Sequence, residues 1–495
     1  MRTVALILVT LAVGAGLGIW VESKRGAAAQ TTTQPAAAFA AVPGAVGSED
    51  LTGPYEVVKG WPKDISTLPG NDKWTYGAGQ GVFAESPNRV FMLFRGELPK
   101  MAAPKNTLLP QLGPSISFPV AGLWRDATTA SLPGVGGTDQ DTRKWMTAWE
   151  GKDDTIGIKG PPYRTLGVDA KWEHCIVVAD ANGNIIETWD QWDKLLRRPH
   201  SVYISPYDPE KHVWVVDDNM QVIYRFTHDG KQLVQTIGTP EREGADATHF
   251  NRPTFIDWLP DGTFFVSDGY TGTRVAKFDK NGKFLMQWGI KGNPPNEARP
   301  GYMNNVHGVA VDPVSRRVFV NDRNNHRVQV FDENGKFLMD WGLKGNPPNE
   351  TRPNYMNNVH GVAVDPVSRR VFVNDRNNHR IQVFDENGKF LYDWRIDADP
   401  SSLHLLYIGA DRNIWTFDRS THKLLKYDQQ GHLLYAWGTL GTFAGGLWGV
   451  HGMSVDQEGN LYVAEVDSGR VQKFVPKKGA RPEFLVSKPV ARVWN

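Results

Sequence analysis

The sequence predicts an all-β fold, a β-propeller built from repeated four-stranded units. Residues 289–341 and 342–394 align without a gap and differ at only five positions, so one whole unit is duplicated. Weaker copies of this unit recur along the chain, as expected when blades repeat around a ring. The 50 glycines and 18 tryptophans favour many short strands joined by tight turns.

Each unit follows one plan. An apolar strand leads through a turn to a strand ending in Asp, then to Arg-Val-x-x-Phe-Asp, a glycine turn such as Lys280-Asn281-Gly282, and Lys-Phe-Leu-x-x-Trp-Gly. The recognisable units are at 80–95, 200–237, 254–289, 307–342, 360–394, 405–438 and 451–475. We therefore expect seven blades, with a six-bladed ring as the alternative if the poorly matching unit 405–438 lies outside it.

The segments around the repeats give the predicted domain organisation. Residues 1–29 are a signal peptide or an N-terminal anchor, because Arg2 precedes an apolar run and a small-residue cleavage site follows at 27–29. Residues 30–50 are rich in Ala, Thr and Pro and form a flexible tether. The propeller occupies 51–495, and residues 55–61 are predicted to add an outer strand to its last blade. A Pro- and Gly-rich insertion at 97–171 is either a lid or disordered.

Charge and cysteine content restrict the function classes. Lys and Arg number 55 against 54 Asp and Glu, so no basic field for a nucleic acid partner is evident. The single cysteine, Cys175, rules out an intrachain disulfide and is expected to be a buried structural thiol. An exported protein without disulfides fits a bacterial envelope. We expect the periplasm, the extracellular space, or attachment to the outer face of the inner membrane through the N-terminal segment.

Histidines precede the first strand in four units. They are His200, His307, its duplicate His360, and His451. Equivalent positions of a closed ring converge on its axis, so three of these imidazoles and a water molecule would form an open zinc site. The alternative is that packing between blades repeats a histidine without any metal.

Residues at the ends of the second strands supply further candidates. Tyr270 follows Ser-Asp-Gly and is a candidate general base near a metal ion. Arg323, its duplicate Arg376, and Arg95 are candidates for holding a substrate carboxylate. For Asp322, Asp375 and Arg274 we expect a structural role, bridging adjacent blades.

These motifs resemble the peptidyl-α-hydroxyglycine α-amidating lyases and the wider group of exported NHL-repeat propellers. The similarity runs from about residue 79 to 475, apart from the insertion and the extra unit. The stretch Ser267-Asp-Gly-Tyr270-Thr-Gly-Thr-Arg274 is close to the one carrying that family's catalytic tyrosine. By the same resemblance, Arg95 and Arg323 match its functional arginines, and His200, His307 and His451 match its zinc ligands.

The resemblance implies a six-bladed propeller and a lyase reaction. In that family the metal holds the substrate hydroxyl, the tyrosine removes its proton, and the C–N bond breaks to give a peptide amide and glyoxylate. A structural calcium ion is implied near the backbone carbonyls of Val82 and Val202. This chain departs from the pattern at Gly452, where the family has a calcium-binding aspartate, and at Thr271, where it has a disulfide cysteine.

Two functions from different classes follow. The first is an exported zinc-dependent carbon–nitrogen lyase acting on a small peptide-like substrate, with either duplicated blade completing the site. The second is a non-enzymatic propeller that binds a peptide, protein or cell-envelope ligand, because a recognition surface tolerates an added blade better than a metal site does. A calcium-dependent lactonase-like propeller is disfavoured because no suitable set of Glu and Asn ligands is apparent.

Overall fold

The computed structural model describes residues 51–100, 171–295, 297–348, 350–396 and 403–491, together with Val42 and the short strands Asn106–Leu108 and Ser117–Pro119. The predicted signal peptide or anchor, most of the tether and most of the insertion 97–171 lie outside these residues. In the described part of the chain, no helix has both the length and the apolar character needed to cross a membrane.

Seven antiparallel four-stranded sheets form the blades of a β-propeller, which confirms the predicted fold class and the count of seven. Blade 1 consists of Trp74–Ser86, Arg89–Pro99, Ile176–Ala179 and Ile185–Thr188. Blade 2 consists of Pro199–Ile204, Val213–Asp217, Val222–Phe226 and Leu233–Ile237. Blade 3 consists of Pro253–Trp258, Phe264–Asp268, Arg274–Phe278 and Phe284–Trp288.

The duplicated units are separate blades of the same ring. Blade 4 consists of Val306–Val311, Arg317–Asp322, Arg327–Asp332 and Phe337–Trp341, and blade 5 of Val359–Val364, Arg370–Asp375, Arg380–Asp385 and Phe390–Arg395. The poorly matching unit is blade 6, with strands Leu403–Gly409, Ile414–Asp418, Lys423–Tyr427 and Leu433–Trp437, and Pro489–Ala491 adds a fifth strand to it. The six-bladed alternative, and the six blades that the resemblance implies, are therefore wrong for this chain.

Blade 7 closes the ring with strands from both ends of the described propeller. Its inner strands are Val450–Val455, Leu461–Glu465 and Arg470–Pro476, and its outer strand is Tyr55–Val57. Tyr55 pairs with Pro476 and Val57 with Phe474, which confirms the predicted closing strand. The first strands of neighbouring blades contact one another around the ring and thus line its axis.

Short elements lie between the blade strands, some within a blade and some between blades. Single 3₁₀ turns occur at Ile65–Thr67, Asp190–Leu195, Arg323–Asn325, Arg376–Asn378 and Pro482–Phe484. Three two-stranded sheets pair Ile290–Lys291 with Tyr302–Met303, Leu343–Lys344 with Tyr355–Met356, and Asn106–Leu108 with Ser117–Pro119.

Trp-Gly ends the fourth strand of blades 3, 4 and 6, and its indole packs one blade onto the next. The ring centroid of Trp288 lies 5.6 Å from that of Phe331, and Trp341 repeats the contact with Phe384 at 5.3 Å. The hairpin residue Gly335 has a φ of +75°, and a Cβ there would lie 2.8 Å from the Trp288 ring. The glycine turns therefore serve two needs: a left-handed backbone and close approach of the neighbouring indole.

Paired Asp and Arg side chains act within blades, not between them as predicted. The Nε of Arg327 donates to Asp322 at 2.8 Å and that of Arg274 donates to Asp268 at 2.7 Å, in each case between adjacent strands of one blade. Arg380 repeats the contact with Asp375. All three carboxylates are buried, so each needs this partner.

Candidate functional site

Every inner strand carries a β-bulge at the same level of the channel. In blades 2 to 7 the bulge follows the first residue of the strand, and the strand's second residue occupies it. Blade 1 has its bulge between Gly79 and Gly81. The residues at this level with described side chains are, in ring order, Gln80, His200, Thr254, His307, His360 and His451, and the backbone of blade 6 has the same irregularity after Leu403. A bulge re-aims one side chain, so the fold presents these positions together.

The structure brings the predicted histidines close to one another. The ring centroid of His200 lies 5.6 Å from that of His451 and 6.4 Å from that of His307. The duplicated pair, His307 and His360, lies at 4.4 Å. Three imidazoles bound to one tetrahedral zinc ion at roughly 2 Å would have centroids roughly 5 Å apart. The first two separations approach this spacing and the third falls below it.

The arrangement is not a closed metal site as it stands. Among the residues that the structure describes, no group of three or more His, Cys, Asp or Glu side chains is placed to hold a metal ion. In a seven-bladed ring, blades 2, 4 or 5, and 7 cannot be evenly spaced about the axis. The added blade therefore removes the even angular spacing of the three zinc ligands that the resemblance implies.

Hydrogen bonds nevertheless orient two imidazoles as ligands would be oriented. Nδ1 of His451 donates to the carbonyl of Gln80 at 2.8 Å, and Nδ1 of His307 donates to the carbonyl of His360 at 3.1 Å. Because a carbonyl only accepts, both rings carry their proton on Nδ1 and leave Nε2 for a metal or a ligand. The amide nitrogen of Gln80 lies 3.0 Å from Nε2 of His451 and would have to move aside for a metal.

His200 has different neighbours. Its Nε2 lies 2.9 Å from the hydroxyl oxygen of Tyr270, and its buried Nδ1 has no hydrogen-bond partner among the described residues. An unsatisfied buried nitrogen is costly unless a ligand or water completes it.

Burial keeps these histidines neutral. It lowers the pKa of His200 and His307 well below the usual value and lowers the pKa of His451 to about 4. Nearby arginines add to the effect, with Arg323 acting on His307 and Arg95 on His451. Neutral imidazole is the form that binds metal ions. In donor chemistry, though not in spacing, the residues fit zinc.

Tyr270 lies between two of the histidines. Its ring centroid is 5.6 Å from that of His200 and 5.1 Å from that of His307. The guanidinium of Arg252 stacks on one side at 4.6 Å and that of Arg198 lies at 5.5 Å. We use the name histidine chamber for the space bounded by His200, His307, His360, His451 and Tyr270.

The predicted arginines surround this chamber. Burial lowers the pKa of Arg95 to about 9, and the nearby charge of Arg198 lowers it further against the opposing effect of Asp218. Asp218 is shared, because Arg252 bonds to it at 2.7 Å and Arg198 lies 3.4 Å from it. Arg323 and Arg376 both act on the pKa of His307, which places both duplicated arginines beside one chamber.

Sequence reasoning missed several of these residues. His404 was overlooked because its unit was started one residue too late, although Leu403-His404-Leu-Leu-Tyr-Ile fits the pattern. Arg419 directly follows a strand-ending Asp, as Arg323 does, and could have been found the same way. Arg198 and Arg252 each begin an Arg-Pro pair directly before a bulge position, His200 and Thr254, and could have been found from that repeat. Gln80 carries no repeat signature, and only the folded ring shows that it lines the chamber.

The calcium prediction lacks support from the residue at 452. A Cβ at Gly452 would lie 3.5 Å from Gly81 Cα, and glycine offers no carboxylate. A calcium ion near Val82 and Val202 would have to be held without that ligand, and it stays a prediction.

Comparison with known proteins agrees with the repeat architecture. Residues 303–331 and 356–384 match the NHL repeat model. The chain is 30% identical to peptidyl-glycine alpha-amidating monooxygenase A of Xenopus laevis over 179 residues, 36% of this chain and 18% of that protein. It is 29% identical to peptidyl-alpha-hydroxyglycine alpha-amidating lyase 1 of Drosophila melanogaster over 33% of this chain and 30% of that protein. NHL repeat-containing protein 3 of Mus musculus is 30% identical over 30% of this chain and 44% of that protein.

The chain thus carries NHL repeats and spans less than a third of the length of the two amidating relatives. Among solved structures, a streptogramin B lyase superposes with a TM-score of 0.45 at 13% identity, covering 60% of this chain and 85% of that one.

Proposed function

We propose that this NHL-repeat propeller is an exported zinc-dependent lyase that cleaves the C–N bond of an α-hydroxyglycine-type substrate. The observation that carries the proposal is the 2.9 Å contact between Tyr270 and His200 inside a chamber of neutral histidines ringed by arginines. The similarity to an amidating lyase and to an amidating monooxygenase, each over about a third of the chain, supports an amidating reaction.

The chain's residues divide the chemistry among them. His200, His451 and one of His307 and His360 would hold zinc, which polarises a substrate hydroxyl oxygen as a Lewis acid. Tyr270 takes the hydroxyl proton, the C–O bond becomes a carbonyl, and the electron pair of the breaking C–N bond leaves with the nitrogen, which gains a proton. The products are an amide and glyoxylate, so no oxidant is needed.

Buried arginines account for substrate recognition. Arg95 and Arg323 reach the chamber from blades 1 and 4, and a guanidinium binds a carboxylate in bidentate fashion. Asp218 is already shared by Arg198 and Arg252, so the chamber keeps positive charge for an anionic substrate. The segment 1–29 would deliver this activity to the periplasm or cell exterior, or anchor it on the outer face of the inner membrane.

The test is metal analysis of the untagged protein together with release of glyoxylate from an N-acyl-α-hydroxyglycine. We expect near-stoichiometric zinc and glyoxylate release that a chelator abolishes. Bound zinc without turnover would exclude the reaction and keep the metal site. A metal-free protein that stays inactive when zinc is added would exclude both.

The second candidate function is ligand binding without catalysis. The duplicated blade favours it, because it leaves the ring centroids of the chamber histidines unevenly spaced, at 5.6, 6.4 and 4.4 Å. The double variant His200→Ala, His451→Ala discriminates, because it should remove zinc and turnover from an enzyme. If neither zinc nor turnover is present in the parent protein, the binding function is preferred.

A further inference from the structure

Three consecutive blades present an arginine at one structural position. Arg323, Arg376 and Arg419 each directly follow the acid that ends the second strand of blades 4, 5 and 6. Those acids pair in register with Val306, Val359 and Leu403, the residues that precede the bulged histidine positions. The three arginines therefore lie at the histidine end of the channel, side by side around the ring.

The carboxylate that precedes Arg323 does not neutralise it. Asp322 accepts from Arg327 at 2.8 Å, and Asp375 accepts from Arg380 at 2.9 Å. Nε of Arg323 instead donates to the neutral amide oxygen of Asn358 at 2.6 Å.

The charges of the neighbouring arginines act on Arg376. The pKa of Arg376 is lowered to about 10, first by burial and then by the charges of Arg323 and Arg419. Arg419 pairs with one carboxylate, Asp467.

A second cationic group lies on the other side of the ring. Arg95 and Arg198 come from blades 1 and 2, which in a closed seven-bladed ring face blade 5. Arg95 and Arg198 are more than nine-tenths buried. Nε of Arg95 and both Nε and Nη1 of Arg198 lack a hydrogen-bond partner among the described residues, and the carboxylate of Asp218, 3.4 Å from Arg198, is shared with Arg252. A buried guanidinium group whose nitrogens lack hydrogen-bond acceptors is stabilised when it binds an anion.

We propose that Arg323, Arg376 and Arg419 form one anion subsite facing a second one at Arg95 and Arg198, so that the natural ligand carries two carboxylates or equivalent anionic groups. The duplicated arginines then act together instead of being alternatives. The inference rests on the proposed function for one of the two groups, the carboxylate of the α-hydroxyglycine unit. The other belongs to the acyl part of the substrate.

The test compares a dicarboxylate with its monocarboxylate counterpart, glutarate with pentanoate, by isothermal titration of the full chain after metal removal. Each charge-assisted hydrogen bond that the second carboxylate accepts should tighten binding about tenfold. Arg376→Gln should remove most of that preference for glutarate. The matched control is Arg352→Gln, which deletes the same charge at a side chain 50% exposed and paired with Glu350.

Equal binding of the two acids by the parent protein would overturn the proposal, as would an Arg376→Gln variant with the parent's preference. The outcomes separate from those for the lyase reaction. A preference for the dicarboxylate without glyoxylate release would support the two anion subsites and exclude the lyase reaction. Glyoxylate release without that preference would support the reaction and exclude the two subsites.

Discussion

At the scale of single residues, the chamber combines groups that are seldom buried together. His200, His307 and His451 are neutral because burial and nearby arginines both oppose their protonation. Tyr270 touches His200 through its hydroxyl and receives two guanidinium groups on its ring. A site of this kind stabilises negative charge, whether on a tyrosine oxygen or on a substrate carboxylate.

Tyr270→Phe removes the proposed base and keeps the ring. We expect glyoxylate release to fall by about 10² to 10⁴, the usual contribution of a general base, while bound zinc stays constant. Tyr355→Phe is the control, because that ring stacks on Arg352 at 3.6 Å in the connection between blades 4 and 5. Unchanged turnover in Tyr270→Phe would show that another group takes the proton.

The buried histidines predict a pH dependence of stability in the metal-free protein. Their pKa values lie below 6.5 in the folded state, to about 4 for His451, so the unfolded chain binds more protons in that window. The stability they contribute is complete above pH 6.5 and is lost as the pH falls towards 4. His451→Gln should make the fall in melting temperature between pH 7 and pH 4.5 shallower. A slope identical to that of the parent would contradict the assignment.

At the scale of elements, the sequence pattern predicted what recurs and missed what does not. Turn glycines, strand-ending Asp residues and the Trp-Gly motif recur because neighbouring blades pack against each other through the same kinds of contact. Their positions were therefore predictable. The arginine that pairs with each Asp was not predictable. Arg327 and Arg274 lie on the next strand of the same blade, and the repeat pattern does not show which strand supplies the partner. The place of Gln80 in the chamber was not predictable either, because only its contact with His451 in the folded ring shows it.

The indole contacts between blades give a prediction for stability. Trp341 packs on Phe384 and under the hairpin at Gly388, and only 6% of it is exposed. Trp341→Ala should destabilise the protein by about 3 to 5 kcal/mol, as large-to-small core substitutions do. Leu343→Ala, two residues away and 53% exposed, should change stability by less than about 0.5 kcal/mol. The midpoint of denaturant unfolding measures both, and equal shifts would contradict the packing argument.

At the scale of the whole molecule, the ring decides which residues can meet. The count of seven units was predictable from repeat spacing, and so was the closing strand from residues 55–57. Which of His307 and His360 would bind the metal was not predictable, because this depends on the angle between blades. The two imidazole rings lie 4.4 Å apart, so both copies border the chamber and either could supply the third ligand of the proposed zinc site.

Removal of one duplicated unit tests how the ring size controls the site. A chain lacking residues 342–394 would join blade 4 directly to blade 6. The new interface can form from side chains already present: Asp312 takes the place of Asp365, which Arg412 contacts at 2.6 Å, and Trp341 takes the place of Trp394 against Tyr427. The turn per blade rises only from about 51° to about 60°, within the range that propellers of different blade number adopt.

We expect the shortened chain to fold as a monomer with a cooperative unfolding transition. Six blades would place His200, His307 and His451 about 120° apart, which is the even spacing that three ligands of one ion favour, so zinc affinity should rise above that of the parent. The preference for glutarate should fall at the same time, since Arg376 is lost. Weaker zinc binding in the folded, shortened chain would show instead that the seven-bladed ring, with both duplicated histidines, is the arrangement suited to the metal.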